Sequence, residues 1–132
     1  AAPSFTKRSK KKPKATMTPT SGVERIPLAD EHCTPSQSGQ QGLEREEILT
    51  LLAAIDSNWS LEEPVAIKRT YKFANFAEAL AFVNQAGDIC ETENHHADFT
   101  LGWGSASVKI WTHDVGGLTR SDFILAAKID HV

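Results

Sequence analysis

The feature that most restricts the fold of this chain is a change of hydrophobic period. Between Val65 and Phe73, the residues Val65, Ile67, Tyr71 and Phe73 alternate with Ala66, Lys68, Thr70 and Lys72, the pattern of a half-buried strand. Before it, Ile48, Leu51, Leu52 and Ile55 recur at helical spacing, with Glu44, Glu46 and Glu47 in the first turn, where the helix dipole favours negative charge. After it, Asn75 and Glu78 are spaced as a capping box, and Phe76, Leu80, Val83, Gly87 and Cys90 line one face of a second helix. Asn58, Trp59 and Ser60 end the first helix, and Trp59 reads as a packing residue.

Two short segments rich in β-branched and aromatic residues follow, Thr100 to Trp103 and Ser107 to Thr112, with a Gly-Ser pair between them that signals a hairpin. Gly116 and Gly117 then make a turn. Thr119 with Asp122 supplies another cap pair, and Phe123, Ala126, Ala127 and Ile129 form the buried face of a third helix. The order helix, strand, helix, strand, strand, helix with short connections predicts an α+β fold, a small antiparallel sheet with three helices packed on one face. A sheet of three strands exposes its edges, so a homo-oligomer is expected.

The chain of 132 residues, 40% of them hydrophobic, suits one domain with a modest core. No apolar run approaches the roughly 18 to 20 residues needed to cross a bilayer, and no signal-peptide pattern is present, so a soluble, cytoplasmic protein without a membrane role is expected. Cys33 and Cys90 lack a C-x-x-C spacing and read as free thiols, Cys90 buried on a helix.

Charge is unevenly distributed. Lys7, Arg8, Lys10, Lys11, Lys12 and Lys14 give the first sixteen residues +6, while the whole chain carries -3, so the remainder is acidic. An acidic body argues against nucleic acid as a partner and leaves any such role to the tail. Residues 1–41 read as a basic, largely disordered N-terminal tail and 42–132 as the folded domain. Residues 1–16, which precede Met17, suit a remnant of expression or processing equally well, and the stretch from Ile26 to Cys33 suits a short segment packed on the domain.

The chemistry concentrates after the second helix. His95 and His96 stand at its carbonyl end, where the macrodipole favours a protonated imidazole, and His113 ends a strand on the same face as Lys109 and Trp111. Glu91 lies one helical turn before the histidine pair. These groups allow general acid-base catalysis at one end of the sheet, and they also allow a solvated turn of no function. Histidine with carboxylate is a zinc or iron ligand set as well, although adjacent histidines on an extended chain point to opposite sides and no His-x-His or His-x-x-x-His chelate occurs. Phe99, Trp103 and Trp111 fit core or sheet-face packing, or stacking on a flat heterocycle.

ENHHADF, followed by Trp103 and by WTHDVGGLTRSDF, resembles the signature of the pterin-4a-carbinolamine dehydratases, also called 4a-hydroxytetrahydrobiopterin dehydratases, and its bacterial members most. In that pattern an acidic residue precedes His-His and usually Pro, and an aromatic residue, a histidine and an aspartate follow. Here these are Glu91, His95, His96, Ala97 in place of the proline, Trp103, His113 and Asp122. The resemblance runs from about the first helix to the C-terminus and leaves the basic tail out.

It implies a four-stranded sheet, with the extra strand near Leu61 to Pro64 or in Val65 to Phe73 broken in two, and assembly into homodimers or homotetramers. It also implies dehydration of 4a-hydroxytetrahydropterin, the 4a-carbinolamine, to quinonoid dihydropterin, recycling the pterin of an aromatic amino acid hydroxylase with no metal and no bound cofactor. Carried over by position, His95 and His113 are the acid-base residues, and Glu91 orients or charges an imidazole. His96 positions the pterin. The implied substrate-binding set is His95, His96, Ala97, Trp103, Thr112, His113, Asp114 and Val115. Asp122 also falls in the signature, and its N3 position assigns it to the helix cap. Alanine at 97 is expected to loosen the backbone after His96. Animal relatives that bind transcription-factor dimers imply the alternative, a non-catalytic protein-binding or dimerisation module.

Overall fold

The computed structural model describes residues 27–62 and 65–132. Most of the basic tail, including residues 1–16, lies outside the described residues. The elements are α1 (Arg45–Ala53), β1 (Ser60–Glu62), β2 (Ala66–Lys72), α2 (Phe76–Glu93), β3 (Asp98–Gly102), β4 (Ser105–Ile110) and α3 (Arg120–Ile129), preceded by a 3-10 turn at Leu28–Asp30. Each helix starts on a polar cap. Glu44 and Glu47 form a reciprocal capping box at α1, the Asn75 side chain accepts from the Glu78 N–H at α2, and Thr119 with Asp122 boxes the start of α3.

The four strands pair antiparallel in the order β1-β2-β4-β3. Ile67 stands opposite Ile110, Arg69 opposite Val108 and Tyr71 opposite Ala106, so these residues share the face that the helices cover. The other face carries Lys68, Thr70, Lys72, Ser105, Ser107 and Lys109 and stays partly or fully in contact with solvent. Phe82, Ala86 and Cys90 of α2 and Phe123, Ala126 and Ile129 of α3 pack with Ile67, Val108 and Ile110 into one core. The expected α+β architecture is present, with the fourth strand at the first of the two places implied by resemblance. β1 has only three residues, too few to show an alternation, and exists because it pairs with β2.

Two expectations are corrected. The face of α2 that enters the core is Ala79, Phe82, Ala86 and Cys90, while Phe76 and Leu80 remain 43% and 39% exposed. Two adjacent apolar stripes run along this helix, and periodicity alone does not say which one meets the sheet. The hairpin also turns earlier than the Gly-Ser pair suggests. Gly102 pairs with Ser105, which leaves Trp103 and Gly104 as the turn and places Phe99 opposite Val108 on the core side. Gly104 fits closely there, because a Cβ would come within 3.1 Å of the Phe73 carbonyl oxygen. The short segment expected to pack on the domain does so in its described part, with Ala29, Glu31, Cys33 and Thr34 hydrogen-bonded to the helical layer.

A second polar anchor lies at the C-terminus of α3. Asp130 accepts hydrogen bonds from Trp59 Nε1 at 2.9 Å, from Arg69 Nη1 at 2.9 Å and from the Tyr71 hydroxyl. Arg69 faces the helices from the middle of β2, where a charge is tolerable only because Asp130 and, at 3.2 Å, Asp56 are beside it. Burial first, and then the bond to Asp130, pushes the Tyr71 hydroxyl well above its ordinary range, so it stays a donor. Asp130→Ala is therefore expected to destabilise the fold by about 3 kcal/mol, read as a lower urea midpoint, because it strands a half-buried guanidinium and two other donors.

Candidate active site

The site is built where α2 ends. Asn94 adopts the left-handed conformation, φ 55°, and the His95 N–H donates to the Cys90 carbonyl at 3.1 Å, so the chain turns sharply off the helix. The backbone then runs extended into β3, and the two adjacent imidazoles part. His95 points inward, its side chain 14% exposed, with Nε2 at 2.6 Å from Asp122 Oδ1. His96 points outward and meets Glu91 Oε2 at 2.6 Å, with both side chains more than half exposed.

Asp122 is wholly buried. Besides His95 it accepts from the Thr119 N–H and from the Thr112 hydroxyl, both at 2.8 Å and both at Oδ2. A carboxylate only accepts, so Nε2 of His95 carries the shared proton and Nδ1 is left on the opposite side of the ring, free of Asp122. Thr112 gives its proton to Asp122, which leaves the Thr119 hydroxyl to donate to Thr112 Oγ1 across 3.0 Å. Each side-chain oxygen of Asp122, Thr112 and Thr119 has a partner, and the set joins the end of α2, the segment after β4 and the start of α3.

Thr112 belongs to a tight turn closed by its bridge to Gly117, in which Gly116 takes φ 71° and the Val115 N–H donates to the Thr112 carbonyl. His113 lies exposed on this turn, edge to face with Trp111 at 4.3 Å between ring centroids, and Lys109 Nζ stands 5.4 Å from the Trp111 ring centre. The expected common face of Lys109, Trp111 and His113 is thus present. Asp114 accepts from the Ser36 hydroxyl at 3.1 Å.

Of the site residues drawn from sequence, the fold brings His95 and Thr112 together through Asp122, with His113, Asp114 and Val115 next in the chain. Glu91 meets His96 and not His95. Ala97, where the signature usually has proline, is half buried against the core. Burial raises the Cys90 thiol, which keeps it protonated and inert. Trp103 is not brought to this group. It is 70% exposed at the tip of the β3–β4 hairpin, whereas the histidines precede Asp98 at the other end of β3, about 14 Å away at a strand rise of about 3.4 Å per residue.

Asp122 as the direct partner of His95 is what sequence reasoning missed. Its capping role is present, but uses one carboxylate oxygen and leaves the other for the imidazole. The signal lay in the signature itself, which already placed Asp122 among the matched positions.

Comparison with known proteins gives the family and fold. Residues 41–132 match the family model described as pterin 4 alpha carbinolamine dehydratase. A Rickettsia bellii protein provisionally named as a pterin-4-alpha-carbinolamine dehydratase is 44% identical over 103 residues, 78% of this chain and 91% of its own length. A similarly named protein of Microcystis aeruginosa is 46% identical over 108 residues, covering 80% and 92%. Among solved structures, a transcriptional coactivator/pterin dehydratase from Brucella melitensis superimposes with a TM-score of 0.64 at 30% identity, over 68% of this chain and 96% of that one.

The two histidine-carboxylate pairs differ in what they contribute to the fold. Asp122→Ala is expected to cost about 3 kcal/mol in chemical denaturation, since it leaves the buried Thr119 N–H and Thr112 hydroxyl without an acceptor. Glu91→Gln, at a solvent-exposed pair, is expected to change stability by less than about 0.5 kcal/mol in the same measurement.

Proposed function

We propose, starting from the fact that this chain belongs to the pterin 4 alpha carbinolamine dehydratase family, that it dehydrates a 4a-hydroxytetrahydropterin to the quinonoid dihydropterin by histidine acid-base catalysis. The observation that carries this reading is the contact between His95 Nε2 and a fully buried Asp122. In the substrate, the N5 lone pair forms a double bond to C4a while the C4a–O bond breaks, and hydroxide is a poor leaving group until it is protonated. With Nε2 held by Asp122, Nδ1 of a protonated His95 delivers that proton. The N5 proton must then be removed, and His113, on the adjoining turn, is the base. Imidazole is the side chain suited to both transfers at neutral pH.

His96 and the segments around Ala97 and from Thr112 to Val115 would seat the pterin, and Glu91 would orient His96. Trp103 could join this set only from another subunit, since its own hairpin carries it away. Oligomerisation is supported by the exposed edges of β1 and β3 and by Phe76 and Leu80 on the outer stripe of α2. On this reading the assembly is a homodimer or homotetramer that recycles the pterin of an aromatic amino acid hydroxylase in the cytoplasm. A protein-binding role is the second reading, favoured by the coactivator name of the Brucella structure and by the same apolar stripe.

The test is the rate of 4a-hydroxytetrahydropterin dehydration, the substrate generated in situ by a hydroxylase at neutral pH. Acceleration by the wild-type chain is expected, with losses of roughly 10² or more in His95→Ala and in His113→Ala while the fold survives. A folded wild type that gives no acceleration would move the assignment to protein binding.

A further inference from the structure

The segment before residue 41, where the family match begins, is hydrogen-bonded to Glu93 and Ser121, close in sequence to His95 and Asp122. After its 3-10 turn it runs extended across the ends of two helices. The Glu31 carboxylate takes a two-pronged grip from Arg120 at 2.9 and 2.7 Å. The Cys33 N–H donates to Glu93 Oε1 at 2.9 Å, and His32 Nδ1 lies 3.0 Å from Glu93 Oε2. The Thr34 N–H donates to Ser121 Oγ at 3.0 Å, and Ser121 Oγ–H donates back to the Thr34 carbonyl at 3.3 Å. At the end, Ser36 donates to Asp114 beside His113.

The seats are placed with respect to the site. Glu93 precedes His95 by two residues, and Ser121 is the residue before Asp122. One short segment therefore holds the end of α2 and the start of α3 in one relation, and these two ends carry the imidazole and the carboxylate.

Glu93 is also in the wrong place for α2 itself. A carboxylate in the last turn meets the negative end of the helix dipole, and this one is only 6% exposed. Its partners lie outside α2: the Cys33 N–H, His32, and Lys128 of α3 at 3.6 Å. Burial alone would raise its pKa, yet these donors together hold it below the ordinary carboxylate range. The charge is therefore stabilised by what it binds outside its own helix.

We propose that Glu31 to Ser36 form a positioning strap for the reaction, with Glu93 and Ser121 as positioning residues that act through His95 and Asp122. The proposal rests on the dehydratase reading for its effect on rate, and on geometry alone for its effect on His95. Displacing a catalytic group by about 1 Å can cost on the order of 10² in rate, so loosening this frame should be felt at the contact.

The experiment uses the full chain in two variants, Glu93→Ala with Ser121→Ala, and Glu31→Ala with Thr34→Pro. The second touches no core residue and decides the matter if the first does not fold. Expected in each is a fall in kcat of about tenfold with KM within about twofold, together with a shifted or broadened His95 Nε2 proton resonance. Wild-type kcat and an unchanged His95 resonance in the folded second variant would overturn the strap. If the wild type itself shows no dehydration, the resonance still reports on the strap, so the two readings fail separately.

Discussion

The buried carboxylate of Asp122 is the constraint on which the rest of this structure depends. A carboxylate with no exposure is costly unless each oxygen is satisfied, and here the donors come from three separate elements: His95 after α2, Thr112 after β4 and Thr119 at the start of α3. Withdrawing any one leaves charge underpaired in a dry setting, so α2, the end of the sheet and α3 must hold one mutual arrangement. The same arrangement decides which imidazole nitrogen faces away. Fold stability and the protonation pattern of the site are two consequences of one set of hydrogen bonds.

α3 carries a carboxylate anchor at each end, and the two do different work. Asp122 at its start gathers His95, Thr112 and Thr119, while Asp130 at its end gathers Trp59, Arg69 and Tyr71 and so ties the helix to β2 and to the chain entering β1. Between them the helix is almost entirely buried, which lets it act as a rigid spacer. Arg69 Nε finds no partner among the described residues, a cost accepted for the grip of the same guanidinium on Asp130 and its stacking 4.4 Å from the Tyr71 ring centre.

The exposed surfaces are as uneven as the interior is consistent. One face of the sheet is polar and lysine-bearing, the outer edges of β1 and β3 have no strand partner among the described residues, and an apolar stripe on α2 remains outside the core. Trp103 at the hairpin tip adds a large aromatic surface far from the histidines of its own chain. Open strand edges and an exposed apolar stripe are the kinds of surface that association with another chain would cover.

By itself the sequence determined the class and order of elements and the residues capable of acid-base work, because period, caps and turn residues act over short separations. The capping pairs at Asn75–Glu78 and Thr119–Asp122, the separation of His95 from His96, and the shared face of Lys109, Trp111 and His113 were all legible in this way. A fourth strand and the histidine signature were legible by resemblance. What only the tertiary structure decided were pairings between distant residues: which stripe of α2 meets the sheet, that β1 forms at all, that Glu91 takes His96, that Trp103 lies apart, and that Asp122 closes on His95 across twenty-seven positions. Local propensity says which groups are available, but a long-range contact depends on how whole elements pack, and packing is a property of the assembled core.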